Sequence, residues 1–225
     1  MTSSASPKTR PRTRRVRVNR YAKRGRYDRG TLDAILDAGV LCHIGFIFED
    51  APVVIPTLYW RDGDRVYWHG SKASRMLQSV PGAQICLTVT HLDGLVLARS
   101  AFHHSANYRS AVLFGRAAEL TDSAARLAQA ERLVESIYPG RWPKLRPVRP
   151  RELAAVSILY LDIDEFSAKT RSGQNVEDKR DERWPVWAGV IPIGLHAGPP
   201  QADHASTGAS HEPPVTKRLA GAARP

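Results

Sequence analysis

The 225-residue sequence is poor in cysteine, in long apolar runs and, at its start, in acids. Its two cysteines, Cys42 and Cys86, both sit in apolar stretches. Two thiols cannot build a disulfide scaffold, and buried free thiols of a cytoplasmic protein are expected. The most apolar run, Val40 to Phe48, is nine residues long and contains His43. A membrane-spanning helix needs about 20 apolar residues, so no membrane segment is expected. Arg14-Arg15 has no apolar stretch behind it and makes a poor export signal. No internal repeat is visible, no GxGxxG follows a strand signal, and no nucleophile signature pairs serine or cysteine with histidine.

Acids are nearly missing from residues 1–29, which hold eleven basic residues against Asp28 alone. The formal net charge of +11 therefore belongs mostly to the start of the chain. A basic arm can touch nucleic acid or an anionic surface. This one interleaves Arg with Thr, Pro and Val and has no aromatic before Tyr21 on which a base could stack, so a nucleic-acid role is not expected.

Residues 1–19 read as a disordered basic arm and 196–225, rich in Ala, Pro, Gly and His, as a disordered tail. Residues 20–195 form the expected folded domain. It opens on a helix capped by Asp28 or Thr31, with Leu32, Ile35 and Leu36 on one face and Gly39 at its end. Strands are predicted at Val40–Phe48, Val53–Trp60 and Val66–Trp68, the last two joined at Asp62-Gly63. Gln84–His91, Leu95–Ala98, Ala111–Ala118 and Ser157–Ile163 follow as further strands. A long helix over 122–138 carries Leu127, Leu133, Val134 and Ile137, and four prolines in 139–151 predict an extended loop. The pattern is mainly β with flanking helices: a small barrel with helices packed outside.

The most informative stretch runs from Val66 to Leu77. A strand ends at His69, and a helix is expected to start near Lys72 or Ala73. Gly70 sits at the junction, and Ser71, Lys72, Ser74 and Arg75 place hydroxyls and cations beside the free N–H groups of a helix start. That chemistry suits a phosphate. A plain helix cap with solvated cations gives the same spacing.

These residues, in this order, resemble the FMN-binding split β-barrels related to pyridoxamine 5′-phosphate oxidase, nearest the nitroimidazole-resistance-type flavoproteins. The resemblance spans roughly residues 20–193. It rests on Arg24 to Asp28, Cys42 to Phe46, Pro52 to Tyr59, Tyr67 to Ser71, Leu92 to Ser100, Asn107 to Ser110, Phe114-Gly115 and Trp187 to Pro192. It implies a homodimer with two FMN sites at the interface, each lined by both subunits. Ile55, Pro56 and Thr57 would run along the isoalloxazine. Ser71, Lys72, Ser74 and Arg75 would take the phosphate, and Arg109 and Ser110 would reach the flavin edge or phosphate. His69 would stand near the ring as the catalytic group, positioning a substrate or passing it a proton.

The implied activity is that of an FMN-dependent oxidoreductase reducing a small molecule such as a nitroaromatic or quinone. A non-catalytic flavin carrier or sensor, or a barrel holding a deazaflavin or haem, are the alternatives. The family's oxidase carries an Arg-Lys pair at the helix start and a substrate-binding Arg and His motif near its end. Here Ser74-Arg75 replaces the pair and the second motif has no match, which argues against pyridoxamine phosphate oxidation.

Other candidates read as structural. His103 and His104 would point to opposite faces of an extended chain, so no metal site is expected. Lys169 and Arg171 read as a solvated end after the last strand, Asp162, Asp164 and Glu165 as a solvated strand edge, and Trp184 and Trp187 as packing against the barrel.

Overall fold

A computed structural model describes Pro11 and residues 13–203; residues 1–10, 12 and 204–225, with most of the expected arm and tail, lie outside the described residues. The chain order is β1 (Gly25–Arg26), α1 (Arg29–Asp37), β2 (Leu41–Phe48), β3 (Ala51–Asp62), β4 (Arg65–Ser71), α2 (Arg75–Ser79), β5 (Gln84–Leu97) and β6 (Ser105–Arg116). Then come β7 (Ala118–Glu119), α3 (Ser123–Ile137), α4 (Pro150–Ala155), β8 (Val156–Asp162), β9 (Glu165–Arg171) and β10 (Gly189–Pro192). The described strands form one antiparallel system in the order β1-β9-β6-β5-β2-β3-β4-β8-β7, with β10 beside β5. This is the mainly β architecture of the split barrel.

The alternation that marks the strands also builds the core. Ile85, Leu87 and Val89 of β5 are buried while Thr90 is exposed. They meet Ile44, Trp68, Leu113, Leu159 and Leu161 from the neighbouring strands. Removing each such side chain from water contributes about 1.5–3 kcal/mol. α1 closes one end of the barrel with Leu32, Ile35 and Leu36. Its cap is the expected one, the Asp28 carboxylate accepting from the Thr31 N–H at 2.8 Å. Two bonds tie its last turn down: the Tyr59 hydroxyl donates to the Leu36 carbonyl, and the His91 ring lies 2.9 Å from the Ile35 carbonyl. The β3–β4 turn needs Gly63, whose φ of 57° is left-handed.

Several elements differ from expectation. The two strands predicted over 84–98 are one 14-residue strand with a bulge at Asp93. β9 was not expected: it pairs fully with β6, so Lys169 and Arg171 lie within a strand rather than after the last one. Within the predicted 139–151 loop, Pro150 opens α4, where its missing N–H costs nothing. α3 buries Arg126 and Gln129, while Leu127 is exposed. The barrel also begins before residue 20. Val16 is buried, the Val18 N–H donates to the Tyr27 hydroxyl at 2.8 Å, and Arg15 and Thr13 both bind Glu165. The Asp162 carboxylate accepts from Arg65 at 2.8 Å, so this acidic stretch is paired and not merely solvated. Trp184 and Trp187 remain 67% and 62% exposed on an irregular surface segment and do not pack into the core.

Candidate functional site

The split in the barrel follows from the unequal lengths of two strands. β3 pairs with β2 along residues 51–58, but with β4 only along 59–62. β4 pairs with β8 along its whole length, so beyond Trp68 it keeps β8 alone: His69, Gly70 and Ser71 pair with Ile158, Ser157 and Val156. The second edge of β3 is left open over residues 51–58. The Tyr59 N–H donates to the Val40 carbonyl at 3.1 Å. By the two-residue period, Ile55 and Thr57 also turn their backbone groups into the β2 ladder. Pro52, Val54, Pro56 and Leu58 face the open edge, which shows four carbonyls but only the N–H groups of Val54 and Leu58.

The same alternation decides which backbone groups of the expected flavin strand are open to a ligand. Pro56 can offer its carbonyl to a ligand, whereas the backbone polar groups of Ile55 and Thr57 are taken. The outward face beside this edge is apolar: Leu41, Ile47, Val54 and Leu58 are 49%, 63%, 63% and 42% exposed.

Across the split stands the β4–α2 turn. His69 is partly buried, its ring centroid 6.1 Å from that of Trp60, and its Nδ1 is buried with no partner. Burial holds the imidazole below its ordinary pKa, so at neutral pH it is uncharged. Gly70 lets the chain pass close over α2, since a Cβ there would stand 3.1 Å from Leu77 Cδ2. Ser71 and Lys72 are exposed, and the Ser71 hydroxyl accepts from the Ala73 N–H at 3.2 Å.

The helix starts at Arg75, later than expected, with Ser74 in the cap position but making no side-chain capping bond. At five residues it has little more than one turn, so its dipole is weak and any anion would be held by side chains. Arg75 reaches back over the Phe48 ring at 5.2 Å, which brings it to the β2–β3 hairpin. His69, Ser71, Lys72, Ser74 and Arg75 are thus a group contiguous in this turn, and Arg75 reaches the hairpin from which β3 starts.

Arg109 and Ser110 are not part of it. They lie on β6, separated from β3 by β5 and β2. Three strand spacings make about 14 Å. Arg109 is held in a two-pronged ion pair by Asp93, at 3.0 and 3.1 Å, and the Ser110 hydroxyl donates to the Lys169 carbonyl at 3.4 Å. The bulge that places Asp93 was not legible in the sequence.

The remaining polar candidates have local partners. His103 Nδ1 lies 2.8 Å from the Ser100 hydroxyl and His104 Nδ1 3.0 Å from the Ser100 carbonyl. Cys42 is buried, and desolvation pushes its thiol up to about 12, which removes it as a nucleophile. Among the described helices none is long and apolar enough to cross a membrane.

Comparison with known proteins gives the lineage. The flavocytochrome Anf3 from Azotobacter vinelandii is 44% identical over 87% of this chain and 92% of its own, with a TM-score of 0.84. The FAD and haem binding protein from Mycobacterium smegmatis is 34% identical over 88% of this chain and 98% of its own, with a TM-score of 0.82. A protein from Bacteroides thetaiotaomicron assigned to 5-nitroimidazole antibiotic resistance is 18% identical, over 64% of this chain and 85% of its own. Its TM-score of 0.52 shows the shared fold alone. No curated protein matches. The profile described as pyridoxamine 5′-phosphate oxidase matches residues 28–170. With its split sheet and this match over more than half its length, the chain belongs to the pyridoxamine 5′-phosphate oxidase family.

Proposed function

We propose that the protein is a redox protein that binds a flavin and a haem, assembled as a homodimer. One observation carries this reading: 44% identity, spread over 87% of the chain, to a flavocytochrome. The second relative, named for FAD and haem, supports it. The features of the chain suit such ligands. Both groups are flat and largely apolar, and the open β3 edge lies beside an apolar face with few, spaced polar atoms. A haem iron takes a neutral imidazole, and burial keeps His69 uncharged at neutral pH.

When bound, the two groups supply electron transfer. The chain's own residues position them and exclude water. His69 is the proposed iron ligand; in a barrel carrying flavin alone it would instead hold or pass a proton at a small substrate beside the flavin. Ser71, Lys72, Ser74 and Arg75 are proposed to hold a flavin phosphate through hydroxyl and cationic donors. Pro56 and its neighbours on the edge would meet the ring. Arg109 and Ser110 are too far from this group within one chain, so we assign them to the site of a second copy.

The test is the absorbance spectrum of the purified protein, with pigment released by heat and resolved by chromatography. Flavin bands together with a Soret band are expected. The released flavin distinguishes the FMN expected from the sequence from the FAD named for the Mycobacterium relative. His69→Ala should lose the Soret band or shift it strongly while keeping the flavin. A protein that takes up neither flavin nor haem overturns the reading, and an unchanged haem spectrum in His69→Ala removes His69 as the ligand.

A further inference from the structure

A second cleft, of about 500 Å³, lies where the start of the barrel meets the end of β9. Four cations line it: Lys23 and Arg24 from the helical turn before β1, Arg26 from β1, and Arg171 from the last position of β9. The pairing of Gly25 with Lys169 and Arg26 with Ala168 fixes the two elements side by side. The hydroxyls of Thr170 and Ser172 lie among the lining residues, which include no Asp or Glu. None of the four cations forms an ion pair with a described residue, whereas Arg15, Arg29, Arg61, Arg65, Arg99 and Arg109 all do.

Neutral groups hold two of these cations in place. Arg171 donates to the Asn107 side-chain oxygen and, at 3.4 Å, to the Gln174 carbonyl. Arg26 donates to the Lys23 and Gly25 carbonyls at 2.7 and 2.9 Å. Burial and the charge of Arg24 press the Arg171 guanidinium below its ordinary value. Gathering four like charges around one concavity is unfavourable unless an anion completes it.

We propose that this cleft binds the diphosphate group of a nucleotide. Guanidinium groups match phosphate oxygens in two-pronged geometry, and three of the four cations are arginines. The cleft exceeds what one phosphate fills and falls in the size range of pockets for whole small molecules, about 300–1,000 Å³. Arg24, on its wall, is held in place by stacking at 4.3 Å over the Tyr21 ring. The assignment does not depend on the flavin and haem reading. The diphosphate has two sources, a free nucleotide or FAD, whose flavin phosphate would then sit here and not at the β4–α2 turn.

Titration calorimetry of the full-length protein at low salt, with ADP, FAD and FMN as probes, tests it. The variants are Arg24→Glu and Lys23→Glu, both on a surface turn and both checked for an unchanged melting curve. ADP binding that weakens by about tenfold or more in either variant supports a free nucleotide. If ADP does not bind but FAD weakens by about tenfold while FMN is unaffected, the cofactor's diphosphate is the occupant. If neither ADP nor FAD responds to either reversal, the proposal is overturned, and the flavin reading stands or falls separately on the spectrum.

Discussion

His69 is the residue whose surroundings say most about its use. A histidine at a strand end in water would titrate near neutrality, at about 6.5. Burial without a partner for Nδ1 lowers that value in the folded chain. The sign follows from linkage. Below about 6.5 the unfolded chain takes up a proton that the folded site resists, so stability falls as pH drops through that value. Melting curves of the haem-free protein between pH 7 and 5 should therefore show a steeper loss for the wild type than for His69→Gln. Equal slopes would place the acid sensitivity elsewhere. Nothing in the sequence around His69 announces this environment; its one ring neighbour among the described residues, Trp60, comes from the adjacent strand.

At the scale of elements, α3 docks by polar side chains as well as by apolar ones. Gln129 accepts from the Trp60 indole N–H at 2.8 Å and donates to Asp62 at 2.9 Å, while Arg126 donates to the Leu153 and Val156 carbonyls. Gln129→Ala strands a buried indole N–H and should cost about 1–3 kcal/mol in urea unfolding. An unchanged midpoint would show that water replaces the glutamine. This docking was hidden from the periodicity of the sequence, which pointed to Leu127 as part of the buried face. The strands at Leu41–Phe48, Gln84–Leu97 and Val156–Asp162 were legible because their inward rows are large and apolar. β9 was not, because its inward row of Phe166, Ala168 and Thr170 carries one large apolar side chain and its outward row is charged or hydroxylic. The His69-to-Arg75 group was legible because it is contiguous in the chain. The remoteness of Arg109 and Ser110 from it is a property of strand order, which no local pattern encodes.

For the whole molecule, two features converge on a second copy. The face carrying Ile47, Val54 and Leu58 is apolar and uncovered within one chain, and the proposed site is split between β3 and β6. Sedimentation should find a dimer, and the double substitution Val54→Glu with Leu58→Glu should yield single chains that lose most of their flavin. Wild-type protein at the mass of one chain with flavin bound would refute the shared site. The basicity of the sequence also takes a different form in three dimensions: part of the excess over residues 1–29 lines a cleft, and Arg15 is spent on Glu165. The prolines at 52 and 56 have a consequence of their own. A strand edge left open during synthesis can template its own kind, zipping chain to chain into insoluble sheets. Here every second donor along that edge is missing, so an incoming strand meets a broken ladder. A newly made chain can wait for its ligand and its twin without being drawn into aggregates.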